Sequence, residues 1–238
     1  MNSSYEQKHP LYAASFTKRR KAMDLYEGGE RIEGNRAYLT RHTYESDKQY
    51  DIRASRATYR NFAAPIVDVF ASFINEGRPE RILPDALRPI EADADRYGMT
   101  ADAFFADVTR LAAAGGARFV IVDMEQKKGE TVAEDRASGR RMVPYFTSIS
   151  PDDVWDWGMD AKGVHSEEME HPAAFAAPLR YETLTVWTRD SWTRYRRPMK
   201  DKENTEYAIA EDGERKHGLG AVPLVPFLFE PTSPITGL

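Results

Sequence analysis

One junction constrains this chain more than any other. Residues 100–123 read Thr-Ala-Asp-Ala-Phe-Phe-Ala-Asp-Val-Thr-Arg-Leu-Ala-Ala-Ala-Gly-Gly-Ala-Arg-Phe-Val-Ile-Val-Asp. Thr100 is a favoured N-cap, and the alanine-rich run after it has strong helical propensity. Phe104, Phe105, Val108, Leu111 and Ala112 recur at helical spacing and predict a buried face. Gly115-Gly116 stops the helix. Phe119–Val122 then lose all alternation, which predicts a short strand buried on both faces. A chain with this junction mixes helix and sheet around a shared core.

The flanking segments fill in that plan. A helix is predicted from about Pro10 to Tyr26, followed by loops at Gly28, Gly29 and Gly34. Between Asp51 and Asn75 a second helix carries Tyr59, Phe62, Ile66, Val69, Phe70 and Phe73 on one apolar face. Pro65 inside it predicts a kink or a split. Residues 80–98 are acidic and broken by prolines, and residues 125–141 predict an exposed loop. Val143–Ile149 predicts a strand. Tyr181–Thr188 and Trp192–Arg196, joined by Arg189-Asp-Ser191, predict a β-hairpin. Tyr207–Ala210 predicts a strand running into a turn at Glu211-Asp-Gly213. The two prolines in Gly218–Phe229 favour an edge or extended segment. The fold class is therefore α+β, with N-terminal helices packed on a mostly antiparallel sheet. The expected division is an arm and short helix over 1–50 and an α+β domain over 51–238. The chain stops just after its most apolar stretch, which suggests truncation.

Several functional classes are disfavoured. There is no cysteine, so disulfides, thiol nucleophiles and thiolate metal sites are ruled out. No apolar run approaches the roughly 20 residues of a membrane span, and the N-terminus lacks a signal-peptide core, which predicts a chain made in the cytosol. The net charge of −5 gives no overall pull toward nucleic acid. His9, His42, His165, His171 and His217 include no pair at helical metal spacing. No phosphate-binding glycine loop and no nucleophile elbow is present. No cofactor is expected.

The densest carboxylate cluster is Ser150-Pro-Asp-Asp-Val-Trp-Asp-Trp-Gly-Met-Asp160. Ser150 as N-cap, Pro151 in the first turn, and Asp152 and Asp153 at its positive end predict a single helical turn ending near Trp155. One tryptophan then faces the core and the other a neighbouring surface. The spacing does not fit a calcium loop. The competing reading makes Asp123, Asp152 and Asp156 the ligands of a metal-dependent nucleic-acid enzyme. The basic and aromatic residues Arg189, Trp192, Arg194, Arg196 and Arg197, extended by Lys200 and Lys202, would then hold substrate. The same residues also suit a subunit interface or the charged face of a hairpin.

The order of these features resembles the N-terminal half of tailed-bacteriophage portal proteins. The matching pieces are His9-Pro-Leu-Tyr12, Asp24-Leu-Tyr-Glu-Gly-Gly29, Tyr38-Leu39, the segment Tyr59 to Pro79, the helix before Gly115-Gly116, and the strand ending at Asp123. They continue with Pro144 to Trp157, the hairpin at 181–197, and Gly220-Ala-Val-Pro-Leu-Val-Pro-Phe227. The resemblance implies a wing-like region that stops before the stem, clip and crown. It implies a structural subunit of a homo-oligomeric ring, usually a dodecamer, through which double-stranded DNA is packaged and ejected, and no catalysis. Its implied partners are the large terminase subunit, capsid and head-completion proteins. Its place is the virion, and the host cytoplasm during assembly, with no membrane.

Overall fold

The structure is a computed structural model that describes residues 7–77, 79–125, 129–139, 142–158, 161–170, 179–199 and 208–229. Its helices are α1 (Pro10–Glu27), α2 (Asp47–Arg56), α3 (Ala63–Ile74), α4 (Pro89–Ala92), α5 (Ala101–Gly115) and α6 (Val132–Ala137). Its strands are β1 (Ala117–Asp123), β2 (Tyr145–Ile149), β3 (Val154–Trp157), β4 (Ala161–Glu170), β5 (Leu179–Thr188), β6 (Ser191–Pro198), β7 (Ala208–Lys216) and β8 (Leu224–Leu228). All strand pairs are antiparallel, so the fold is α+β with helices and antiparallel sheet, as expected. The strands form two sheets rather than one, ordered β2-β1-β8 and β3-β4-β5-β6-β7.

The α5–β1 junction organises the layers. The Thr100 hydroxyl accepts from the Ala103 N–H, and Gly116 takes the left-handed conformation (φ 84°) that ends α5 and turns the chain into β1. Alternate side chains of β1 then point to opposite sides. Ala117, Phe119 and Ile121 pack with Leu224 against Val154, Trp157, Val164, Trp187 and Trp192 of the five-stranded sheet. Val120 faces the other way, into a cluster with Phe104 and Val108 of α5, Ile90 of α4, Ala94 and Val143. Two cores thus share one strand. Tyr12 of α1 closes the inter-sheet core, with Leu11 and Phe16 beside it.

Other segments follow or depart from their patterns for local reasons. The helix predicted over 51–75 is split, with the break at residues 57–62. Asn61 explains the restart: its side chain donates to Tyr26 O at 2.6 Å and accepts from the Ala64 N–H at 2.9 Å. Pro65 then lies in the first turn, where no N–H is needed. α2 begins at Asp47, earlier than predicted, because Ser46 and Gln49 form a reciprocal capping box. The segment 125–141 is not simply a loop, since α6 forms there with Asp135 buried and accepting from the Gly129 N–H at 2.9 Å. The run Glu211-Asp-Gly213 does not turn the chain. β7 passes through it, and the register against β6 jumps between Thr193↔Glu214 and Tyr195↔Ile209. The turn residues survive as a bulge. β8 is an edge strand carrying Pro226 opposite Phe119, as its prolines require. No described helix is long and apolar enough to cross a membrane.

α3 has the predicted periodicity and the opposite orientation. Ala71 is its one buried residue, while Phe62, Ile66, Val69, Phe70, Phe73 and Ile74 are all exposed. Leu184, by contrast, is 1% exposed, and Phe70 is 61% exposed. Leu184→Ala is expected to cost about 2–5 kcal/mol in denaturant unfolding, whereas Phe70→Ala, measured on the dilute monomer, stays within about 0.5 kcal/mol.

Candidate functional site

The segment after Ser150 builds a turn and then a strand, not a helix. The Asp153 N–H donates to Ser150 O at 3.0 Å, and the Asp152 N–H to Ser150 Oγ at 3.3 Å. These bonds would equally open a helix. What decides is the next residue. Val154 is fully buried and pairs with Val164, so β-pairing and burial draw the chain into β3. A register shift between Val154 and Asp156 re-aims the tryptophans. Trp157 lies in the core and stacks on His9 at 4.3 Å, while Trp155 is half-buried and stacks on His165 at 4.0 Å. The His9 N–H also donates to Trp155 O at 2.9 Å, fixing the start of α1 to β3.

The carboxylates are tied into this frame. Asp152 pairs with the buried Arg19 of α1 at 3.4 Å, and its backbone oxygen accepts from the Tyr12 hydroxyl at 2.8 Å. Burial, with Asp152 next, pushes the Tyr12 hydroxyl up to about 12. Arg19 also donates to Ser15 Oγ. Arg118 of β1 donates to Ser148 Oγ at 2.7 Å, and burial lowers its affinity for its proton. Asp153 has its carboxyl raised above the ordinary range, first by burial and then by the charge of Asp152. Asp156 accepts from the N–H of Trp157 at 3.0 Å. A cavity of about 10 Å3 lies among Arg19, Met23, Arg118, Pro151 and Asp152. That is room for about one water and not for a substrate.

Asp123 stands elsewhere. It lies opposite Tyr145, whose hydroxyl donates to it at 2.8 Å, while Phe119 lies opposite Ile149. The register therefore places Asp123 at the far end of β1 from the Ser150 turn, and the three proposed ligands do not converge. Among the described residues no group of three or more His, Asp or Glu side chains could hold a metal ion. Asp160 and His171 lie outside the described residues. His165 lies in strand β4.

The residues of the basic-aromatic segment divide between two faces of β6. Trp192 is buried in the inter-sheet core, close to Trp187. Arg194, on the same side, lies over the Trp192 ring at 5.3 Å and pairs with Glu168 at 3.5 Å. Arg196 covers Tyr181 at 4.2 Å. Arg197 is on the other side and binds Glu182 at 2.5 Å, which also meets His165 at 2.8 Å. Burial raises the Glu182 carboxyl, but these two partners outweigh it and hold it below its usual value. Arg189 is exposed in the hairpin turn. Lys200 and Lys202 lie outside the described residues. The two histidine–tryptophan stacks and the Glu182 network could not be found from spacing, because each depends on strand register or on α1 reaching β3.

The chain matches no protein-family model and no curated protein.

A pH dependence follows from Asp153. Because its folded carboxyl is raised, its contribution to stability is fully present below the ordinary value of 3.8 and is lost as pH rises through the folded value. Asp153→Asn is therefore expected to raise the unfolding free energy at neutral pH. The gain should vanish in acid below 3.8, measured by urea denaturation across pH.

Proposed function

We propose that the chain is a structural subunit of a tailed-phage portal, corresponding to its wing region, and that it carries out no catalysis. The observation that carries this reading is the use made of its densest carboxylate cluster. Asp152 ties α1 to the turn before β3, Asp153 is packed beside it, and Asp156 holds its own strand. Asp152 holds two layers together, and the other two are taken up by burial and by a bond within the strand. The order of elements supports the same reading: helix, split helix, α5, a buried strand, a proline turn, a hairpin, and a proline-bearing edge strand. It follows the series that resembles portal subunits.

The function of such a subunit is mechanical. Copies arranged in a ring, a dodecamer in the family, surround passing double-stranded DNA at one vertex of the capsid. The terminase large subunit docks on the ring during packaging, and head-completion proteins replace it later. A net charge of −5 suits that task, because a channel that neutralised many phosphates would bind DNA tightly and resist sliding.

The test has two arms. The protein, extended past Leu238 wherever its reading frame continues, is examined by native mass spectrometry and negative-stain electron microscopy. The expected result is a closed ring with a central channel. In parallel, supercoiled plasmid is incubated with Mg2+ or Mn2+ and either the parent or the Asp152→Asn, Asp156→Asn variant. Equal background in both is expected. Cleavage by the parent that the variant loses would overturn the reading.

A further inference from the structure

Helix α3 is amphipathic in the inverted sense. Its one charged residue, Asp68, turns toward α1, where it accepts from the Tyr26 hydroxyl at 2.7 Å. Its outer side carries Phe62 (68% exposed), Ile66, Val69, Phe70, Phe73 (66% exposed) and Ile74. Residues 62, 66, 69 and 73 are spaced four, three and four apart. That is the seam spacing by which one helix packs on another. A contiguous apolar strip of this kind marks an interaction site rather than ordinary surface.

The charges at its ends indicate the occupant. Arg60 stands exposed just before the helix and Glu76 just after it. Neither takes part in an ion pair among the described residues. Each is at the wrong end for its own helix, since the positive end of the dipole favours anions and the negative end favours cations. An antiparallel copy of the same helix corrects both at once. With a two-fold axis beside Asp68, eight residues from each charge, Arg60 meets Glu76 of the second copy, and Phe62 and Ile66 meet Ile74 and Phe70. The exposed side chains offer on the order of 600 Å2 per copy. A pair then buries about 1,200 Å2, at the lower edge of specific interfaces.

We infer that α3 is the seat of a two-fold, antiparallel contact between two copies of this chain, apolar along its length and closed at both ends by Arg60–Glu76 pairs. The contact is isologous, whereas ring neighbours meet head to tail. It therefore describes subunits outside the ring and stands apart from the portal reading.

Sedimentation velocity across a concentration series, at low salt, tests it. The parent is expected to shift from monomer to dimer. Phe70→Asp abolishes the shift while circular dichroism stays unchanged. Arg60→Glu and Glu76→Arg each weaken it roughly tenfold through like-charge contacts. A mixture of these two variants forms a mixed dimer, because each then supplies what the other lacks at both ends. A parent that stays monomeric, a dimer indifferent to Phe70→Asp, or two single variants that fail to pair would each overturn the proposal. Rings without this pairing overturn it and leave the portal reading standing. Pairing without rings does the opposite.

Discussion

The rest of the structure depends on β1 being apolar on both faces. A strand with one polar face could lie on a single layer and stop there. Phe119 and Ile121 on one side and Val120 on the other require cover twice, and the chain supplies a five-stranded sheet for the first and α5 with α4 for the second. Removing water from both faces is the main favourable term available to a fold of this size. It also explains why α5 is joined to β1 by two glycines: the helix must reverse at once and lie back on the strand it feeds.

Around that double-faced strand, polar groups act as ties between layers. Asp152 is the clearest case. Its side chain reaches Arg19 and its backbone reaches Tyr12, so a turn between two strands fixes the orientation of a helix far away in sequence. Lys162 does the same between sheets: it is buried and donates to Leu224 O at 3.1 Å, and burial lowers its hold on its proton. Such groups are tolerated inside because each finds a partner that a displaced layer could not offer.

Much of the fold was legible in the sequence and much of the candidate site was not. Thr100, Gly116 and the Phe119–Val122 run act through neighbours in the chain, so period and capping chemistry predicted them well. Pro226 placed β8 at an edge for the same reason. The Ser150 turn failed because serine, proline and aspartate open helices and turns through the same bonds, and only the burial of Val154 separates the two outcomes. The Glu211-Asp-Gly213 run failed similarly, since a bulge and a hairpin turn use the same residue types. α3 shows the deeper limit. Periodicity finds an apolar face but carries no information about which way that face points.

The bulge in β7 has a consequence for how copies of this chain can meet. Gly213 is held so close to Ala210 that a Cβ would strike its carbonyl, and the strand there departs from a straight ladder. β7 is an outer strand of its sheet, and on the other sheet β8 carries Pro226, which has no N–H to offer. β3, at the opposite end, is short and already accepts from His9. Each of these margins is spoiled as a template for adding a foreign strand. Strand addition at these three margins is thereby discouraged, and recognition along them is left to side chains, which can be specific in a way that backbone ladders cannot.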